Sequence, residues 1–360
     1  MLLIPNRYLL LSLVTAFLPT SLSAMPTTEW LFHKTADGSH PNGAEQERLW
    51  LLNKARSNPP AEGEFLASST ERDIAGGRDF FMVNLSVLRS EFNSYAPAAP
   101  AAFDNRLYEA SRQHSQDLIN RDAQDHNNQI ERIQQSGFSF SAVRVNVFAF
   151  SDNALNAHAA LNIDWGNGAD GVQTGRGHRK ALMSLDNSYT NVGIASIAEN
   201  NNATRVGPEV MSDAFAGARE SQANHFNRFI VGTVWQDMNG NARYDAGEGF
   251  GNVRVGPDKG TYFAITGAAG GFAIPIEAAD TYNVTFSGGA LASTETRAVT
   301  VGTESALLDL LVGAGVSDNT LPRFNLSSNI LNLPVIQIDG AHFSVNMTLG
   351  ADSSGNAVFD

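Results

Sequence analysis

The segment DMNGNARYDAGE, residues 237–248, carries oxygen-bearing side chains at its first, third, fifth, ninth and twelfth positions: Asp237, Asn239, Asn241, Asp245 and Glu248. Alternate residues of such a loop turn inward and a closing carboxylate can bind through both oxygens. The spacing therefore predicts a calcium site, with the backbone carbonyl of Arg243 at the seventh position. Ala242 stands where a glycine is usual at position six, with Gly240 and Gly247 nearby. Strand-like flanks, FIVGTVW before and GNVRVGP after, predict a loop joining two strands rather than two helices. The chain has no cysteine, so thiol catalysis, cysteine-ligated zinc and disulfides are excluded and any staple must be a core or a hard metal ion.

A second set of residues is built on histidine. His178 sits in GADGVQTGRGHRKALM, residues 168–183, a glycine-rich stretch running into an apolar helix, and His126 follows a long helix in RDAQDHNNQ. The stretch meets neither the P-loop nor the dinucleotide pattern, so its glycines are read as freeing a turn that delivers His178 to a cleft. Two imidazoles with His158 or Asp164 would make a three-ligand zinc site with a position left for water. His126 and His178 are the candidates for catalysis. No G-x-S-x-G or H-E-x-x-H pattern supplies a nucleophile or base, so catalytic roles stay unassigned. His114 shares an apolar stripe with Leu107 and Leu118 and is read as a core histidine, Trp165 as core or cleft wall, and Arg176, Arg179 and Lys180 as solvated.

The elements that must position these residues change character near residue 228. Before it, helices are expected over 44–57, stopped by Asn58-Pro59-Pro60, over 103–123 with Asp104 as N-cap, and over 127–137 and 152–163. Strands are expected at 143–150 and 190–197, with a Pro/Ala connector at 94–102. After residue 228, short strands separated by glycine turns predict a small β-sandwich to about residue 316, and then a short β-rich tail over 317–360. Residues 1–24 read as a secretory leader, and no later apolar run is long enough to span a bilayer.

Taken in order, LLNKARSNPPAEGEF, RLYEASRQHSQDLI, DHNN, VNVFAF, GRGHRKALMS, TNVGIASI and VGPEVMSDAFA resemble a bacterial member of the CAP superfamily of cysteine-rich secretory, antigen-5 and pathogenesis-related proteins, over about residues 44–217. The resemblance implies an α+β chain: an α-β-α sandwich within residues 25–225, whose cleft commonly holds a divalent metal, usually zinc, on two histidines and two acids. The histidines fall on His126 and His178. Val145, in Arg144-Val145-Asn146, stands where the family's first acid is expected. Residues 226–316 resemble the calcium-binding Ig-like or transthyretin-like sandwiches of bacterial surface proteins.

The charge of −13 argues against nucleic-acid partners. The expected protein is secreted and spans no membrane. Its leading expected role is to bind an extracellular ligand, such as a lipid, peptide or cell-surface component, in a histidine-lined cleft. The alternatives are a metal-dependent extracellular hydrolase, such as a peptidase, and an adhesin acting through the β-sandwich.

Overall fold

The structure is a computed structural model that describes residues 25–313, together with the backbone of six short strands between residues 323 and 359. The expected leader lies outside the described residues, as does part of the 317–360 tail.

The described chain begins with a two-residue strand, β1 (Thr28–Glu29), and four helices: α1 (Gly43–Ser57), α2 (Pro59–Ser68), α3 (Arg72–Phe80) and α4 (Leu85–Ser94). Helix α1 starts in a capping box: Asn42 Oδ1 accepts from the Glu45 amide at 3.1 Å, and Glu45 Oε2 accepts from the Asn42 amide at 2.8 Å. The Asn58-Pro59-Pro60 segment ends α1 as expected. It also opens α2, because Asn58 caps the new helix and proline at its first position needs no N–H partner.

Strand β2 (Ala102–Phe103) precedes the long helix α5 (Asn105–Arg121), which Asp104 caps through the Arg106 amide at 2.9 Å. Helix α6 (Gln129–Gln135), strand β3 (Phe140–Ser151) and helix α7 (Ala154–Ala159) follow, and α7 continues into a π-helical turn, Ala160–Asp164. Helix α8 (Gly177–Leu182) carries His178. Strands β4 (Asn191–Ala198) and β5 (Glu209–Ala218) complete a four-stranded sheet in the order β2-β4-β5-β3.

Helix α5 packs on this sheet so closely that a Cβ at Gly193 would lie 2.1 Å from the Tyr108 backbone nitrogen. Arg48 of α1 holds Asp213 of β5 through two parallel 2.9 Å bonds, both residues buried. The layers share an apolar core in which Leu49 and Leu52 of α1 meet Val192, Ile194 and Phe215 of the sheet.

Beginning at Phe229 the described residues through 313 form strands and turns: β6 (Phe229–Trp235), β7 (Val253–Pro257), β8 (Tyr262–Ile265), β9 (Gly271–Pro275), β10 (Asp280–Gly288), β11 (Glu295–Val301), β12 (Ala306–Leu307) and β13 (Leu310–Leu311). One sheet runs β1-β8-β7-β10-β11. In the other, β6 pairs with β12, β13 and β9. Phe272 of the second sheet meets Phe286 of the first edge to face, their ring centroids 5.8 Å apart.

The change of pattern expected near residue 228 thus falls where β6 begins, yet contacts do not part there. The first compact unit ends at Leu311, and Val312–Asp360 forms the second. Trp50 of α1 lies edge to face on Trp235 at 5.6 Å, and Gln46 Nε2 donates to Thr233 Oγ1 at 2.8 Å. Strand β1 pairs in parallel with β8, Thr28 opposite Tyr262. In the second unit, four strands pair antiparallel in the order Arg323–Asn325, Ile330–Asn332, Asn346–Ala351, Ala357–Phe359, and Ile336–Ile338 pairs with Ala341–Phe343.

Candidate functional site

His178 is held by Asp164. The π-helical turn ends at Asp164 in a left-handed conformation (φ 58°), and the buried carboxylate turns toward the start of α8. Its Oδ2 accepts the His178 backbone N–H at 3.1 Å, and its Oδ1 lies 2.8 Å from His178 Nδ1. One acid therefore caps the helix and orients the imidazole.

Two buried arginines support this corner. Arg179 reaches back to the carbonyls of Asn162 and Ile163, each at 2.5 Å, and also pairs with Glu91. Arg56 donates to the carbonyls of Leu182 at 2.6 Å, Tyr189 at 2.8 Å, Ala99 at 3.1 Å and Ala181 at 3.2 Å. Burial pulls its titration down to about 9, which still leaves it a cation at neutral pH, where it favours the C-terminal end of α8. The expectation of a solvated Arg179 is corrected: it is fully buried, because the unwound turn leaves carbonyls that only a long donor can reach. Arg176 is only partly exposed, pairing with Glu91 Oε1 at 2.8 Å.

His126 lies elsewhere. Its Nδ1 is 2.8 Å from Gln129 Oε1, and it lines an open cleft of about 400 Å³ with Arg144, Val145, Asp186, Asn187 and Tyr189. His178 is not among the residues lining that cleft. Asp186 Oδ1 accepts from the Tyr189 hydroxyl at 2.9 Å and Oδ2 from Arg144 Nε at 2.8 Å. Burial pushes the Asp186 carboxyl up, but these bonds outweigh it and hold the group below the usual carboxylate range. Burial and the Asp186 carboxylate push the Tyr189 phenol up. Asp186 is the acid that the sequence did not reveal. It is brought to His126 by the turn after α8, while Val145 supplies an apolar wall where a carboxylate was expected.

His158 is buried on α7, its Nε2 2.7 Å from Glu62 Oε1, which also accepts from Asn162 Nδ2 at 3.0 Å. The four residues proposed for zinc therefore fall in three places, His126 on Gln129, His158 on Glu62, and His178 with Asp164. They do not fit a single zinc site, and among the described residues no group of three or more His, Asp or Glu side chains gathers as a metal cluster. His114 is the core histidine expected, with Nε2 2.9 Å from the Asp125 carbonyl, and burial lowers its titration.

The 237–248 loop is closed by its own oxygens. Asp237 accepts the amides of Gly240 at 2.7 Å and Ala242 at 2.9 Å, Asn239 that of Asn241 at 3.0 Å, and Asn241 that of Arg243 at 2.7 Å. The side-chain amides of Asn239 and Asn241 both meet Asp245 Oδ2 at 2.7 Å, so the third, fifth and ninth positions converge. Glu248 clamps the two ends, accepting from Met238 at 2.8 Å and Asp245 at 2.9 Å. Ala242 takes the left-handed conformation (φ 60°) that glycine usually supplies at this position. An all-oxygen donor set on a short loop is the chemistry that would hold a hard cation, although Asp237, Asp245 and Glu248, like the histidines, do not gather as a metal cluster among the described residues. The loop sits against the helical layer: Arg243 Nη2 donates to Glu71 at 2.8 Å, and Glu47 of α1 accepts from the Ala246 amide at 3.3 Å. Burial and the nearby Asp245 push the Glu47 carboxyl up to about 7.

No family model and no curated protein matches the chain. Among solved structures, an extracellular protein containing an SCP domain from Bacillus anthracis str. Ames is similar at 16% identity with a TM-score of 0.25, over 39% of this chain. The match spans 40% of that protein's own chain. No helix among the described residues is long and apolar enough to cross a membrane.

Proposed function

We propose that this is a secreted CAP-like protein that binds an extracellular ligand, a lipid, peptide or cell-surface component, in the cleft of His126, Asp186 and Tyr189. The observation that carries this reading is the cleft itself: an imidazole and a carboxylate line an open cleft beside the apolar Val145, with the buried Tyr189 hydroxyl holding the carboxylate from behind. Such a set serves hydrogen-bonded recognition. Ligand-observed NMR of lipids and peptides against the whole protein tests it. Signals that respond to wild type should be lost with His126→Ala and kept with His178→Ala. Equal loss in both variants, or in neither, refutes the cleft.

In the same reading the two sheets after residue 228 form an Ig-like or transthyretin-like sandwich, and calcium on Asp237, Asn239, Asn241, the Arg243 carbonyl, Asp245 and Glu248 is structural. An ion that binds only the folded chain stabilises it by about 2.7 kcal/mol at a hundredfold excess over its dissociation constant. Thermal unfolding with and without chelator measures this, and a midpoint unmoved by chelator refutes it. The Asp164-oriented His178 favours a second reading, an extracellular hydrolase with His178 as general base. A peptidase assay lost in His178→Ala and kept in His126→Ala would support that reading against ligand binding.

A further inference from the structure

A second cleft, of about 580 Å³, opens between helices α1 and α2 on one side and β6, β13 and the 237–248 loop on the other. Its volume falls in the range of small-molecule sites. Trp50, Leu51, Phe65 and Trp235 give it an apolar lining.

Each cation on its walls already rests on an aromatic ring and a carboxylate. Lys54 Nζ lies 5.1 Å from the Trp50 ring centroid and 2.8 Å from Asp309 Oδ2. The Arg243 guanidinium lies 5.4 Å from the Phe65 centroid and is bonded to Glu71. Glu62, one turn before Phe65 on the same face of α2, lines the cleft too. It is buried, and its Oε1 is taken by His158 and Asn162, an imidazole and a carboxamide. Neither partner is a permanent cation, so among the described residues Glu62 is the cleft carboxylate without one.

We propose that this cleft binds a small organic amine, an apolar body bearing an ammonium group, with the body against Leu51, Phe65 and the two indoles and the ammonium at Glu62. The chain's own Lys54 shows that the lining accepts an ammonium, since the attraction of a cation to an aromatic face adds to that of the carboxylate. Lys54 is partly exposed and competes for the same lining.

Titrations of the whole protein with 2-phenylethylamine, its alcohol counterpart 2-phenylethanol and its carboxylate counterpart 3-phenylpropionate test the site by calorimetry and tryptophan fluorescence. Because the 237–248 loop forms one wall of the cleft, they are run both with calcium in excess and with chelator in excess, and the outcome is read in the form with the higher thermal midpoint, whichever way the calcium reading falls. The amine should saturate and bind about tenfold more tightly than either counterpart. Glu62→Gln keeps an acceptor for His158 and Asn162 and should remove that preference while leaving the alcohol's affinity unchanged. Lys54→Met combined with Asp309→Asn keeps the stem on Trp50, removes the competing ammonium together with the carboxylate it would leave unpaired, and should tighten amine binding. Equal binding of amine and alcohol, tighter binding of the carboxylate, or no saturable binding overturns the proposal. So does an amine preference that survives Glu62→Gln. If Glu62→Gln does not fold, the titration of the Lys54→Met, Asp309→Asn double variant decides, and unchanged or weaker amine binding in it refutes the site.

Discussion

Glu47 offers a direct test of how the 237–248 loop is seated on helix α1. Its carboxyl is half-buried between the two and faces Asp245, which together with burial lifts its titration from the ordinary 4.5 to about 7. Between those values the unfolded chain has lost a proton that the folded chain keeps, so Glu47 makes stability fall as pH rises and adds no further slope above about 7. At roughly 1.4 kcal/mol per pH unit the full displacement corresponds to about 3 kcal/mol, and residual hydration lowers the expected effect to about 1–3 kcal/mol. Glu47→Gln is neutral throughout and can still accept from the Ala246 amide. Relative to wild type it should be near-isoenergetic below pH 4.5 and more stable by about 1–3 kcal/mol at pH 8.

The difference between the two proteins is the quantity to measure, because His33 acts in the opposite sense. Burial lowers His33 to about 4, so its contribution is lost as pH falls from 6.5 toward 4, equally in both proteins. Urea unfolding followed by tryptophan fluorescence at pH 4, 5, 6, 7 and 8, in excess chelator, gives the profile. A difference that does not change with pH, or that shrinks as pH rises, would refute the seating described here.

Three further substitutions probe the scaffold around His178 and the sheet, each read by urea unfolding. Arg56→Met leaves four carbonyls without their donor and should cost at least about 3 kcal/mol; a loss below 1 kcal/mol would show that water replaces the guanidinium. Asp164→Ala removes both partners of His178 and should cost about 2–4 kcal/mol, together with line broadening of the His178 ring resonances. Gly193→Ala should destabilise by about 2–3 kcal/mol or more, since the methyl meets the backbone of α5 rather than a movable side chain, and a neutral outcome would mean that α5 can shift.

Long periodic segments were legible in the sequence. Helix α5 with its Asp104 cap, helix α1, and strands β3 and β4 follow from spacing and cap chemistry alone, because local signals specify them. Helices α3 and α4 passed unread: each is short and surface-lying, with only two buried residues, so its apolar stripe is too thin to stand out. The candidate site was less legible for a different reason. His126, His178 and Asp164 were visible as residue types, but the pairing of Asp164 with His178 depends on a π-helical turn, and Asp186 and Glu62 reach their places through tertiary packing. Arg179 looked like one of three surface cations because no local pattern marks a π-helical turn whose carbonyls it must satisfy.

The pairing of β1 with β8 has a consequence for the order in which the molecule folds. Thr28 and Glu29 are separated from their strand partners, Tyr262 and Phe263, by more than two hundred residues of chain. Trp30, His33 and Lys34 likewise wait for the carbonyls of Phe263 and Ile265. So large a sequence separation raises the contact order and slows completion of the native state. The 28–34 segment acts as a clasp that can fasten only once β8 is in place, and it then holds the chain ahead of the helical layer to the edge of a sheet built from residues far beyond it.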